Sequence, residues 1–222
     1  MNDHVRPAPP SLHEEASRYA LLRRLTPTLR HHMAGEFQPI GMMAALMERR
    51  VQNPQCDLAS LKDNCASIGN LSRHAAETCV NLMGWVAPRS PGPVAAGAGI
   101  GECVDLLSTS LRFRGFALSS QAGDLQAPVS CTALRSVLTA TLLALSDAAH
   151  EPGDLQVQAR QEGRGVVIEV SLSPADRSSD NPGAEDYRPL SWDDVQALAT
   201  AEAVALWHEG DHARLTLPLA AG

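Results

Sequence analysis

Two adjacent histidines, His31 and His32, are the residues of this chain best placed to do chemistry. They lie in residues 29–40, Leu-Arg-His-His-Met-Ala-Gly-Glu-Phe-Gln-Pro-Ile, inside a long amphipathic helical pattern. At about 100° per residue, the apolar side chains form a stripe roughly 120° wide, made of Leu22, Leu25, Leu29, Met33, Phe37, Ile40, Ala44, Met47 and Val51. His31 falls opposite this stripe and His32 on its flank. The pattern therefore predicts a solvent-facing imidazole that a partner protein can reach and that can act as a nucleophile.

The composition limits the class of protein to which this imidazole belongs. The 222 residues, 44% of them apolar, permit one domain or two small ones with a hydrophobic core. A net charge of −7 without a basic cluster disfavours nucleic acid as a partner, and no apolar run approaches the roughly 20 residues that span a membrane. The N-terminus lacks the layout of a signal peptide. Reduced thiols are expected at Cys56, Cys65, Cys79, Cys103 and Cys131. We therefore expect a soluble, cytoplasmic protein.

The first part of the chain predicts a flexible tail over residues 1–11 and a helical hairpin over residues 12–87. The first helix contains Pro27 and Pro39, each expected to kink it. Asp57 is the expected N-cap of the second helix, whose apolar stripe consists of Leu58, Leu61, Cys65, Ile68, Cys79, Leu82 and Val86. Two helices cannot bury such faces alone. A second copy, giving a homodimer with a four-helix bundle, is the simplest remedy.

The second part predicts a linker over residues 88–99 and an α/β sandwich over residues 100–222. Helical patterns and alternating strand patterns succeed one another there. The expected helices cover residues 101–112, 132–150 and 191–208, and the expected strands cover residues 115–120, 154–160, 166–172 and 212–219. This order predicts an α+β fold in which helices pack on one face of a mixed sheet.

Several other side chains are expected to be structural. The group Met42, Met43 and Met47 is interpreted as core filler, with an adaptable docking patch as the alternative. Trp192 and Trp207, at the ends of the last predicted helix, are assigned to the core or to an interdomain contact.

This order of elements resembles the transmitter core of bacterial histidine kinases. That core is a dimerisation and histidine-phosphotransfer hairpin followed by a GHKL (Bergerat-like) ATP-binding domain, and the likeness covers residues 12–222. The segment around His31 is similar to the pattern Leu-Arg-His-Asp-x-x-Asn-x-Leu-Gln-x-Ile of sporulation-type phosphotransferases and related kinases. His31 matches the phosphoacceptor and Gln38 matches directly, whereas His32 replaces the assisting acidic residue and Gly35 replaces the asparagine.

The positions that bind nucleotide in that family carry other residues here. Ala144 stands where the resemblance places the magnesium-binding asparagine, and alanine offers no oxygen to Mg²⁺. Leu172 stands at or near the place of the adenine-binding aspartate, and no Gly-x-Gly-Leu lid motif precedes the last helix. The closing strand, residues 213–219, matches the family closely. The resemblance thus implies a degenerate ATP-binding domain, a pseudokinase scaffold without a cofactor of its own.

The function implied is that of a histidine phosphotransfer protein in a two-component phosphorelay. The phosphoacceptor His31 would carry a phosphoryl group between aspartates of response-regulator receiver domains, which bring their own Mg²⁺. Arg30 is a candidate contact to the phosphoryl group, and His32 is a candidate assistant or alternative acceptor. Two alternatives stay open: a divergent ATP-dependent sensor histidine kinase, and a non-catalytic scaffold that docks receivers.

Overall fold

The computed structural model describes residues 10–53, 57–86, 92–175 and 187–220. Most of the predicted tail, residues 54–56 and part of the predicted linker lie outside these ranges. The chain divides into two compact units. One unit comprises the residues up to Leu25 together with those from Ser90 onward, and the other comprises Thr26–Arg89.

Two long helices open the chain. α1 covers Leu12–Val51 and α2 covers Leu58–Val86. Asp57 caps α2, because its carboxylate accepts hydrogen bonds from the backbone N–H groups of Ala59 and Ser60, each at 3.1 Å. These bonds also lower the pKa of the carboxyl group. The predicted N-cap is therefore confirmed.

The buried face of α2 follows a heptad pattern. Buried or half-buried side chains recur at alternating intervals of three and four residues, at Leu61, Asn64, Ile68, Leu71, Ala75, Thr78, Leu82 and Trp85. The seam lies in the unit that comprises Thr26–Arg89. The predicted stripe is right for Leu61, Ile68 and Leu82 and wrong for three members that are exposed, Leu58, Cys65 and Val86. Cys65 and Val86 each follow a seam residue by one position and are therefore turned about 100° away from it, whereas Leu58 lies before the first seam residue. The remaining member, Cys79, is half-buried.

The apolar stripe predicted for α1 is buried only in its first part. Leu25 and Leu29 are buried, and Leu22, Ile40 and Met47 are half-buried. Four members are exposed, at Met33, Phe37, Ala44 and Val51. Ala20, Leu21 and Leu25 owe their burial to the unit that contains the sheet. All four exposed members lie beyond Leu25, in the unit that comprises Thr26–Arg89.

The larger unit contains a mixed sheet. Its strands are β2 (Ala117–Ser120), β4 (Gly153–Glu162), β5 (Gly165–Pro174), β6 (Ala205–Glu209) and β7 (His212–Pro218), in the order β2-β4-β5-β7-β6. β2 runs parallel to β4, and the other pairs are antiparallel. The short strands β1 (Pro93–Ala95) and β3 (Pro128–Ser130) form a separate antiparallel pair.

Helices cover one face of this sheet. They are α3 (Ala96–Phe113), α4 (Cys131–Ala133), α5 (Thr139–Ala148) and α6 (Trp192–Ala201), with one π-helical turn, Leu134–Leu138, joining α4 to α5. Their buried side chains meet alternate residues of the central strands, which include Leu155, Ile168 and Leu215. The α+β class and the mixed sheet with helices on one face are therefore confirmed.

Two sequence predictions in this unit are wrong. The predicted helix 191–208 ends at Ala201, because Ala203 adopts a positive φ of 54° that stops it. The chain then forms β6, which returns as β7 through a turn at Gly210. Residues 93–99, assigned to a linker by composition, form β1 and the start of α3. A Cβ at Gly97 would lie 2.4 Å from the carbonyl oxygen of Gly123, so only glycine fits there.

Candidate functional site

His31 lies on an open stretch of α1 between two prolines. Its side chain is exposed, and one turn later a Cβ on Gly35 would meet nothing within 4 Å. Pro27 and Pro39 have no N–H, so the carbonyl groups of Arg23 and Gly35 lack their helical donors. The imidazole is exposed one turn before a residue without a side chain, which leaves room for a partner to approach it.

His32 has a different environment from its neighbour. It is half-buried, and its Nε2 is enclosed without a hydrogen-bond partner among the described residues. The two imidazole rings are 6.4 Å apart and nearly perpendicular. Arg30 is exposed, and no ion pair holds it within the described ranges. The more accessible nucleophile of the pair is therefore His31, with Arg30 adjacent to it.

One contact joins the two helices close to this segment. Nε2 of His74 on α2 lies 3.6 Å from Oε2 of Glu36 on α1. The distance exceeds a normal hydrogen bond, and the pair is ionic only when His74 is protonated. Because His74 is exposed, this pair contributes little to stability. It shows which residues of the two helices lie side by side.

The turn of α5 that corresponds to the family's metal ligand is apolar. Ala144 is 1% exposed and the next residue, Leu145, is 2% exposed. The nearby hydroxyl groups donate to the helix itself, Thr141 to the carbonyl of Val137 at 2.7 Å and Ser146 to that of Leu143 at 2.9 Å. Mg²⁺ needs hard oxygen ligands. Neither Ala144 nor Leu145 supplies one.

The acid at the end of α5 is saturated by other partners. The Asp147 carboxylate accepts two hydrogen bonds from the guanidinium of Arg24, at 2.6 and 2.8 Å, and one from Arg114 at 2.9 Å. The backbone N–H of Leu190 donates a fourth, also at 2.9 Å. Asp147 is therefore a structural acid whose lone pairs are already used.

The end of β5 offers no carboxylate for an adenine ring. Leu172 is buried, and its Cδ1 lies 2.9 Å from where a Cβ on Gly153 would stand. Residues 176–186, where the family has its lid, lie outside the described residues. The residues present at Ala144, Asp147 and Leu172 do not fit a magnesium–nucleotide complex.

A second buried acid, Asp194, was missed by the sequence analysis. It accepts hydrogen bonds from Arg188 at 2.6 and 2.9 Å, from the Ser17 hydroxyl at 2.9 Å and from Ser191. The Arg188 guanidinium holds the pKa of this carboxyl group well below its usual range. The spacing Ser191-x-x-Asp194, a capping box, was the available signal for the local part of this cluster.

The remaining candidate chemistries find little support in the described ranges. No group of three or more His, Cys, Asp or Glu side chains is placed to hold a metal ion there. Four cysteines are unpaired thiols, and burial raises the pKa of Cys103. Among the described helices, none combines the length and apolarity needed to cross a bilayer.

Comparison with known proteins gives structural likenesses only. No protein-family model matches the chain, and no curated protein matches it. The histidine kinase AdeS of Acinetobacter baumannii is similar at 11% identity and a TM-score of 0.43, over 80% of this chain and 94% of that one. The blue-light activated histidine kinase EL346 of Erythrobacter litoralis is similar at 16% identity and a TM-score of 0.45, over 80% of this chain and 63% of that one.

The nucleotide-free catalytic domain of the histidine kinase ThkA is similar at 14% identity and a TM-score of 0.42. The match covers 57% of this chain and 95% of that domain. All three of these matches have TM-scores below 0.5, and the function proposed below is inferred from the residues of this chain.

Proposed function

We propose that this protein is a histidine phosphotransfer protein of a two-component phosphorelay, with His31 as the carrier. The exposure of His31 on α1, with open space at Gly35 one turn later, is the observation that carries the proposal. The apolar turn at Ala144 and the saturated Asp147 support a source of phosphate other than ATP. That source would be a phosphorylated receiver domain.

The chemistry requires little from this chain. A ring nitrogen of neutral His31 attacks the phosphorus of an aspartyl phosphate, the bond from phosphorus to the aspartate oxygen breaks, and the aspartate leaves as a carboxylate. The proton on the other ring nitrogen can pass to solvent, and the reverse reaction returns the phosphoryl group. Catalysis of such transfers is mainly positioning and charge neutralisation. The receiver's Mg²⁺ would supply most of the neutralisation, and Arg30 one further positive charge.

The surface of α2 supports the proposed homodimer. A second series of mainly small and apolar residues follows the buried seam by one position: Cys65, Gly69, Ser72, Ala76, Cys79, Met83 and Val86, with Lys62 as the charged exception and Leu58 one heptad before Cys65. Met83 is 55% exposed in the single chain, and Leu58 and Val86 are also exposed. The helix is polar on its other side, at Asp63, Asn70 and Glu77. An apolar arc wider than one neighbouring helix can cover is typical of a bundle helix.

The test is transfer of labelled phosphate from a phosphorylated receiver domain of the same organism. We expect wild-type protein and His32→Ala to take up acid-labile label, and His31→Ala to take up none. Incubation with labelled ATP and Mg²⁺ should label none of them. Label on His31→Ala would contradict the assignment.

The two alternatives predict different results in the same assay. Labelling of wild type by ATP would favour the divergent kinase. Receiver binding that persists without label on any variant would favour the scaffold.

A further inference from the structure

Part of the sheet face opposite the helices is exposed among the described residues, although Val167 on the same face is buried. On this outer face, residues that pair across neighbouring strands form a row of Gln158, Glu169, Arg214 and Trp207. The adjacent row consists of Gln156, Ser171, His212 and Glu209. The first row, three members of the second (Ser171, His212 and Glu209) and the turn between β6 and β7 line a concavity with a volume of about 930 Å³. This surface lies in the unit with the sheet and uses none of the residues around His31.

Trp207 is the most informative side chain of this surface. It is 52% exposed on β6, an edge strand, although tryptophan is among the side chains that gain most from burial. No ring stacking or cation–π contact holds it within the described part of the chain. Exposed tryptophans in concave surfaces are typical anchors of interfaces. The sequence analysis assigned Trp207 to the core or to an interdomain contact. Its exposure rules out a place in the core.

The charges around Trp207 indicate what kind of group it receives. Glu169 is paired with Arg160 at 2.9 Å, and Arg214 is paired with Glu162 at 3.2 Å. Glu209 and Asp211, by contrast, have no ion pair among the described residues. The end of the concavity next to the indole therefore carries two uncompensated carboxylates.

These charges exclude several occupants. Nucleic acid and anionic lipid surfaces are repelled by carboxylates. A second copy of this chain carries the same net charge of −7, which opposes its docking at an acidic surface. A cation that can contact an aromatic face has both complementary charge and complementary shape.

We propose that this concavity binds an arginine or lysine side chain presented by an extended, basic segment of a partner protein. The cationic group would lie between the carboxylates of Glu209 and Asp211, with its aliphatic stem on the indole of Trp207. This binding site goes beyond the proposed phosphotransfer, because it needs neither His31 nor a receiver domain.

The test uses a blocked tripeptide, acetyl-Arg-Gly-Arg-amide, with acetyl-Glu-Gly-Glu-amide as its matched counterpart. The readout is the indole N–H resonance of Trp207, assigned by its loss in Trp207→Phe. The basic peptide should shift this resonance saturably, with a Kd of about 1 mM for so small a probe, and the shift should weaken as salt is added. The acidic peptide should leave the resonance unchanged.

The variants separate the proposed site from general attraction to an acidic protein. Glu209→Gln combined with Asp211→Asn should weaken binding about tenfold, a difference of about 1.4 kcal/mol. Glu77→Gln, which removes an exposed charge of α2, should have no effect. An unchanged indole resonance with the basic peptide would overturn the proposal. Equal affinity of the double variant and wild type would overturn it as well.

Discussion

Arg24 and Asp147 form a two-point ion pair, at 2.6 and 2.8 Å, in which the side chains are 1% and 4% exposed. Arg24 lies on α1 and Asp147 at the end of α5, so the pair fixes the first part of α1 to the unit that contains the sheet. Ser17 adds a second link by donating to Asp194 on α6. The first third of α1, up to Leu25, is thus part of the α/β unit, although the sequence pattern predicts it as part of a hairpin.

Replacing Arg24 should show how strongly this pair stabilises the unit. Arg24→Met leaves Asp147 buried with Arg114 and one backbone donor, and we expect a loss of about 3 kcal/mol in the free energy of unfolding. Arg18→Met breaks the half-exposed pair with Glu202 and should cost less than about 1 kcal/mol. Urea denaturation measures both. Equal losses in the free energy of unfolding for the two variants would contradict the prediction that the buried pair of Arg24 stabilises the protein more than the half-exposed pair of Arg18.

The stability contributed by Asp194 should depend on pH. Because its folded pKa is lowered, the contribution is full above the unfolded value of about 3.9 and is lost as pH falls through the folded value. Asp194→Asn should therefore destabilise the protein most near neutrality, and the difference from wild type should shrink below about pH 4. Asp193→Asn, at the exposed neighbouring position, should show no such trend in a series of thermal melts.

The second apolar series of α2 gives a matched pair of variants for the proposed homodimer. Met83→Glu places a charge inside that series and should convert dimer to monomer at micromolar concentration. Glu77→Lys changes an exposed glutamate on the polar side of the helix and should leave the dimer intact. Sedimentation velocity distinguishes these results. Dissociation by both variants, or by neither, would contradict the predicted interface.

Met42 is the candidate docking residue for a receiver. It is 66% exposed, and its position is eleven residues beyond His31, about 20° from it around the helix. Exposure makes the interpretation of Met42 as core filler wrong and favours the docking alternative. Met42→Glu should slow transfer from a phosphorylated receiver at least tenfold, whereas Val51→Glu, on the opposite side of α1, should not.

A small phosphodonor separates docking from chemistry. Phosphoramidate should label His31 in wild type and in Met42→Glu at similar rates, because it needs no docking surface. If wild type is not labelled by any donor, the phosphotransfer proposal itself fails. If Met42→Glu transfers normally from the receiver, only the docking assignment fails.

The elements that sequence predicted correctly are those with long, regular patterns. The helical period extends over many residues in α1 and α2, as does the apolar–polar alternation in β4 and β5. Such long patterns predict the element even where single residues depart from them. The strand β6 was assigned to a helix, because its residues Ala-Leu-Trp-His-Glu suit either structure. These residues form a strand because they pair with β7 and because Ala203, with its positive φ, ends the preceding helix. Alanine rarely adopts a positive φ, so the sequence does not predict this helix end.

The candidate site was predictable in part. The exposure expected of His31 followed from the helical wheel, and the structure places the residue accordingly. The pairing of Arg24 with Asp147 could not be predicted from the sequence. The residues are 123 positions apart, and Arg24 follows another arginine in an ordinary helical segment. Only the fold brings the two together.

The prolines of α1 have a consequence for how this helix opens. Each removes one bond from the backbone ladder, at the carbonyls of Arg23 and Gly35, and so divides the helix into three stretches that can exchange amide hydrogens on separate timescales. The first stretch is fixed by Arg24 and should exchange slowest, whereas the middle one holds His31. One continuous helix can therefore be rigid in the stretch that Arg24 fixes and more easily opened in the stretch around His31, where a partner would bind.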